Sequence, residues 1–228
     1  MMDSIAFGVK QWHKIGGTKD RRTAMTKLSP KAGRGRPPTM KNPKEAILKS
    51  AAACFSDAGY EATSLNGIAH NLGMTKAGVY HYFPTKREIF DAIVSSVLKD
   101  MLIHSKSSCG GAENAPAELA AFVRAHAEFF EANQHKFSVL FNGRGGDKSD
   151  YTDDQITARR AYSDHLQAIL ERGVAQGSFE IEDTANFARA ILGMLNWMSR
   201  WFDPQGEKTA AQIADGYTKI LLNGVIPR

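Results

Sequence analysis

Few side chains in this 228-residue chain are grouped so that they could act together on another molecule. The tightest group lies in SLNGIAHNLGMTKAGVYHYF, from Ser64 to Phe83. Ser64 and Thr75 offer hydroxyls, Lys76 an ammonium, and Tyr80, His81 and Tyr82 polar-tipped rings; no acid interrupts the run from Thr75 to Tyr82. Hydroxyls beside the free N–H groups of a helix start, joined by a cation, suit phosphate oxygens. A lysine or a polar ring on the outer face of a helix can also reach base edges. Gly78 leaves the backbone uncovered for a close approach, and Lys86 adds a further candidate phosphate contact.

These groups need a scaffold, and the spacing of their neighbours supplies one. Ile68, Ala69 and Leu72 share one face of a first helix, predicted to be capped by Thr63. Gly73 and Met74 turn the chain at a position that favours φ > 0, and Thr75 opens a second helix with Val79 and Phe83 inward. A small residue, a glycine four on and an apolar residue six beyond that is helix-turn-helix spacing, which lets two helices cross closely and places the second in a major groove. The same stripes also occur in an ordinary αα-hairpin.

Charge is distributed to match. The net charge is +5, yet residues 1–41 hold six Lys and four Arg against Asp3 and Asp20, a net +8, which leaves −3 for the remainder. A basic arm on a mildly acidic body is what one end of a molecule facing a polyanion requires. The arm lacks apolar periodicity and reads as disordered. Within it Gly33-Arg34-Gly35-Arg36-Pro37-Pro38 resembles the core of AT-hook peptides, whose extended Arg-Gly-Arg lies in a narrow minor groove; Arg34 and Arg36 would then read A·T-rich DNA. The alternative is a solvated tail that adds only phosphate attraction.

Beyond the arm every periodic stretch reads as helix. Asn42-Pro43-Lys44-Glu45 opens one, and Thr85-x-x-Glu88 opens a long one that runs past Met101. Ser105 to Pro116 has a loop's composition. Helices follow over about 117–133, 137–141, 155–176, 183–202 and 209–224, with a glycine-rich loop at 143–150. The expected fold is all-α with about nine or ten helices: a disordered arm (1–41), a three-helix DNA-binding domain (42–88) and a helical ligand-binding and dimerisation domain (89–228). No apolar run reaches the roughly 18 residues of a membrane span. Two distant cysteines, Cys54 and Cys109, and no apolar leader point to a reduced, cytoplasmic setting without a metal site.

From about Ile47 to Phe90 the chain resembles the DNA-binding domain of the TetR (tetracycline-repressor) family of bacterial regulators. The resemblance is carried by Phe55, Gly59, Tyr60, Thr63, Ser64, Ile68, Ala69, Gly73, Lys76, Gly78, Tyr80, Tyr82, Phe83 and Lys86. The long arm is atypical of the family, and His81-Tyr82 inverts the usual order of aromatic and histidine. The resemblance implies a homodimer on a pseudo-palindromic operator, with the remainder of the chain binding a small effector. The helices near 155–176 and 183–202 are the expected dimer interface, because the second is apolar on nearly all sides, with Ala188 and Gly193 allowing close approach.

The segment Ile191 to Pro204 is similar to that of TetR-family regulators of fatty-acid, steroid and aromatic-acid catabolism, which respond to coenzyme A thioesters. Phe122, His126, Phe129, Phe130, Phe137, Trp197 and Trp201 would line an acyl tunnel, and Arg144, Lys148, Arg159, Arg160 and Arg200 would meet nucleotide phosphates. The competing readings are a free hydrophobic or aromatic ligand, and aromatics that are simply core. No cofactor is implied. An enzyme is disfavoured: no glycine loop follows a strand, no His-Glu-x-x-His appears, and Gly143-Arg144-Gly145-Gly146 is a loop without a dinucleotide fingerprint. A sequence-neutral architectural protein is the other alternative.

Overall fold

Helix starts follow cap chemistry closely in the computed structural model, which describes residues 41–142 and 151–225. The Asn42 side chain accepts from the Glu45 N–H, and Pro43 takes the first turn of α1 (Pro43–Ala58), whose Ile47, Ala51, Ala52 and Phe55 are buried. Gly59, at φ 85°, ends it. α2 (Leu65–Asn71) and α3 (Lys76–Tyr82) follow. The cap of α2 is Ser64, which accepts from the Gly67 N–H at 3.1 Å. The predicted cap, Thr63, is instead buried, its hydroxyl within reach of the carbonyls of Gly59 (2.9 Å) and Cys54 (3.1 Å), so it ties the turn to α1.

At the start of α4 (Lys86–Cys109) Thr85 caps as expected, its side chain accepting from the Glu88 N–H and its hydroxyl donating to the Glu88 carboxylate. This helix overruns the loop read from composition, because Ser105 and Cys109 fall on its buried face and extend the inward stripe of Ile89, Ile93, Val97 and Met101. The break shrinks to 110–114, and Asn114 caps α5 (Ala115–Ala132) through the Ala117 N–H. α6 (Gln134–Asn142), α7 (Asp153–Ala175), α8 (Thr184–Trp201) and α9 (Ala210–Val225) complete nine helices among the described residues, without a strand.

α4 packs against α1, α5, α6 and α7, so one continuous rod crosses the expected boundary at 88/89. α5 lies along α9, and α6, α7 and α8 close the core around Leu119, Phe122, Phe137, Leu166, Ile169, Leu170, Ile191 and Leu195, all fully buried. Among the described residues no helix is long and apolar enough to cross a membrane, and no group of three or more His, Cys, Asp or Glu could hold a metal.

Candidate nucleic-acid interface and sensor core

The turn between α2 and α3 is held as its sequence requires. Gly73 has φ 62°, where a Cβ is unfavourable, and the Met74 N–H returns to the Ala69 carbonyl at 2.9 Å. Ala69 and Val79 are buried between the helices. Thr75 caps α3 by accepting from the Gly78 N–H at 3.1 Å. A Cβ on Gly78 would lie 3.3 Å from Thr75 Oγ1 and 3.4 Å from Met74 Cε, so this glycine also keeps the cap tight.

The outer face of α3 presents Lys76, Tyr80 and His81 to solvent, with Thr75 exposed at its start. Lys76 Nζ lies 5.3 Å from the Tyr80 ring centre. Tyr82 is only half exposed and packs against the core, with His81 edge-on to its ring at 5.0 Å. Ser64 is exposed at the start of α2.

Lys86 is engaged within its own chain. Its ammonium donates to the carbonyls of Tyr60 (2.7 Å), Thr63 (3.1 Å) and Glu61 (3.3 Å) and sits 4.3 Å from the Tyr60 ring centre. A cation that serves three carbonyls and a π face is held against the turn ahead of α2. Arg34 and Arg36 lie outside the described residues, as do Arg144, Lys148 and the loop at 143–150.

In the sensor half Phe122, His126, Phe130 and Phe137 are buried together and Phe129 is half buried. Phe137 is their hub, with ring centres of Phe130, Phe141, His126 and Phe129 at 5.3 to 6.1 Å. His126 Nδ1 is 3.0 Å from the Tyr162 hydroxyl, and its Nε2 is buried without a partner. Burial pushes the His126 pKa down to about 3, so the ring is neutral, and raises that of Tyr162. His104, His165 and Ser105 carry further buried polar atoms without partners. Beside this group Leu98, Met101, Leu140, Phe141, Arg159, Tyr162, Leu192 and Asn196 line a cavity of about 120 Å³. Tyr162 and Asn196 were not legible as lining residues, because nothing in their local sequence distinguishes them from other helical polar positions.

Two tunnel candidates lie on the outside of α8. Ile191, Leu195 and Met198 take the inward face of α8, which turns Trp197 (64% exposed) and Trp201 (46% exposed) outward. Trp201 instead borders a surface groove of about 580 Å³ between the end of α8 and α9. Arg200 and Arg160 are exposed, whereas Arg159 is partly buried against the Tyr151 ring. Ala188 is buried in the chain's own core and so cannot face a partner, while Gly193 is open. The exposed apolar stripe therefore runs over Gly193, Trp197 and Trp201, with Ile220 on α9 also 67% exposed, and α7 exposes Ile156 and Val174.

A helix-turn-helix ahead of a helical sensor is also what comparison with known proteins finds. Residues 47–93 match the model for bacterial regulatory proteins of the tetR family, and residues 112–225 match the tetracyclin repressor-like C-terminal domain. The chain belongs to the TetR family. It is a helix-turn-helix transcriptional regulator that binds DNA. This TetR-family chain is 26% identical over 185 residues to the HTH-type transcriptional repressor KstR2 of Mycolicibacterium smegmatis, covering 80% of this chain and 90% of the relative. Among solved structures it is similar to the regulator PfmR from Thermus thermophilus (36% identity, TM-score 0.71, 78% of this chain and 97% of that one). It is also similar to AibR in complex with isovaleryl coenzyme A and operator DNA (27% identity, TM-score 0.67, 78% and 96%).

Proposed function

We propose that this regulator is a cytoplasmic repressor that binds a pseudo-palindromic operator as a homodimer and is released by a small acyl-bearing effector, with a CoA thioester as the favoured form. The observation that carries the DNA-binding half is the exposed, acid-free face of Thr75, Lys76, Tyr80 and His81 on a helix whose other side is buried. Ser64 and Thr75 accept backbone N–H groups as caps and keep their own O–H to donate to phosphates. Lys76 and Tyr80 are the base-reading candidates, His81 a phosphate or thymine-methyl contact, and Gly78 the point of close approach. Tyr82 and Lys86 have supporting roles. Residues 42–88 act as the head and 89–228 as the sensor, with α4 shared.

The stripe of Trp197 and Trp201 on α8, with Ile220 on α9, supports pairing through a four-helix bundle; two copies bring two α3 helices to successive major grooves. Release follows from the way α4 is tethered. Lys86, at its first turn, holds the carbonyls just ahead of Ser64, the cap of α2. An effector that binds better when α4 is displaced therefore shifts α2 and α3 with it, to the extent of its differential affinity for that state.

KstR2 is a repressor and AibR takes isovaleryl coenzyme A, which favours a thioester here. The small cavity and the outward Arg160 and Arg200 favour the second reading, a free hydrophobic or aromatic molecule such as the acid itself. The relatives named are regulators, and we read this chain as a binding protein without turnover. A thermal-shift screen against CoA thioesters and the corresponding free acids, paired with operator release, separates the two. Stabilisation by thioesters together with release supports the first. A shift with free acids alone rejects it in favour of the second.

A further inference from the structure

Arg159 is the group in the sensor cavity that the packing leaves unexplained. It projects from α7 to the cavity wall, its guanidinium 4.4 Å from the Tyr151 ring centre, and its Nε is buried without a hydrogen bond. No carboxylate among the described residues forms an ion pair with it. The rest of the wall is mostly aliphatic or aromatic, with the Tyr162 hydroxyl and the Asn196 amide as its other polar groups. A guanidinium drawn into such surroundings loses hydration that an anion would replace, and burial lowers its affinity for its own proton. Its planar fork matches a carboxylate with two parallel hydrogen bonds.

We infer that the buried end of the effector is a short apolar group ending in a carboxylate, which pairs with Arg159 and takes a second contact from Asn196. The inference rests on the effector-released regulator described above and names what that effector must carry. Size limits the group: about 120 Å³ falls below the roughly 300–1,000 Å³ of typical ligand pockets. A chain of a few carbons fits, and a fused-ring skeleton does not. Two sources share this chemistry: a free short carboxylic acid, and the distal carboxylate of a dicarboxylic acyl thioester.

The test is calorimetric binding of two matched pairs to the full chain, glutaryl-CoA against pentanoyl-CoA and pentanoate against 1-pentanol. Each pair differs by the carboxylate alone at the buried end, and the coenzyme's own charges cancel within the first. In one pair the carboxylate member binds at least about tenfold more tightly. R159Q abolishes that gap, and R159K, which keeps the charge but not the fork, retains part of it. The pair that shows the gap identifies the source. No gap in either pair, or a gap that survives in folded R159Q, overturns the inference. Operator binding on the same samples keeps the two proposals apart. Operator release by the neutral member alone rejects the carboxylate and leaves the regulator standing, whereas a wild-type chain that selects no operator rejects the regulator itself.

Discussion

α3 and α8 both carry aromatic side chains in their later turns, and the two helices use them in opposite ways. On α3, seven residues long, Val79 takes the inward position and Tyr80 and His81 are left outside. On α8, eighteen residues long, Ile191, Leu195 and Met198 are inward, so Trp197 and Trp201 face out despite being the largest side chains of their segment. The contrast extends to the halves of the molecule. The head has a small core and exposes polar groups suited to a polyanion. The sensor buries polar groups such as His126 and Gln155 and exposes tryptophans suited to a second copy. Burial is therefore a poor guide to function here unless it is read together with what each half must meet.

The largest effect that would sharpen this contrast comes from the sensor's aromatic hub. Phe137→Ala removes a fully buried ring and should cost about 3–5 kcal/mol of unfolding free energy, whereas Tyr80→Ala should stay within about 0.5 kcal/mol. Denaturant unfolding of both variants checks this. A Tyr80→Ala loss as large as that of Phe137→Ala would make the outer face of α3 part of the core.

Lys86 comes next. If its ammonium serves the Tyr60, Glu61 and Thr63 carbonyls, Lys86→Met should lower stability by about 1.5–3 kcal/mol while leaving the salt dependence of operator binding unchanged. A phosphate contact predicts the reverse, a stable protein whose salt slope falls by about one.

The smallest effect is a pH dependence that arises in the sensor. His126 is neutral in the folded chain because its pKa is depressed to about 3, while the unfolded chain takes up a proton near pH 6.5. Below that pH the unfolded state holds more protons, so stability falls as pH falls, by about 1.4 kcal/mol between pH 7.5 and 5.5 for this residue alone. His165, also depressed by burial, acts in the same direction. Unfolding of wild type and His126→Gln at the two pH values should show the weaker dependence in the variant.

How far the sequence announced these features depends on how local their causes are. The caps at Asn42, Thr75 and Thr85 and the turn at Gly73 use partners within a few residues, so spacing alone reveals them. The partners of Lys86 lie 23 to 26 residues upstream, and a lysine opening a helix beside a recognition helix reads as a phosphate ligand until they are seen. Ser105, Ser107 and Ser108 look like loop, yet only Ser105 needs burial for α4 to continue. On α8 the outward face mixes Asn186, Arg189 and Arg200 with Trp197 and Trp201, and two large aromatics on a polar face read as core until the inward stripe is seen. Gly173 shows a cause hidden altogether. A Cβ there would collide with the Phe179 ring, a contact made only when the chain folds back after α7.

The central claim is that two copies of the exposed α3 face read one symmetric DNA site. Selection of bound duplexes from random DNA, followed by competition binding of the winner, tests it most directly. The account predicts a pseudo-palindrome with half-sites about one helical turn apart, preferred over random DNA by at least about a thousandfold, and a loss of about 1–3 kcal/mol of that binding in Lys76→Ala. Binding without an enriched symmetric site, at an affinity that Lys76→Ala leaves unchanged, would contradict it.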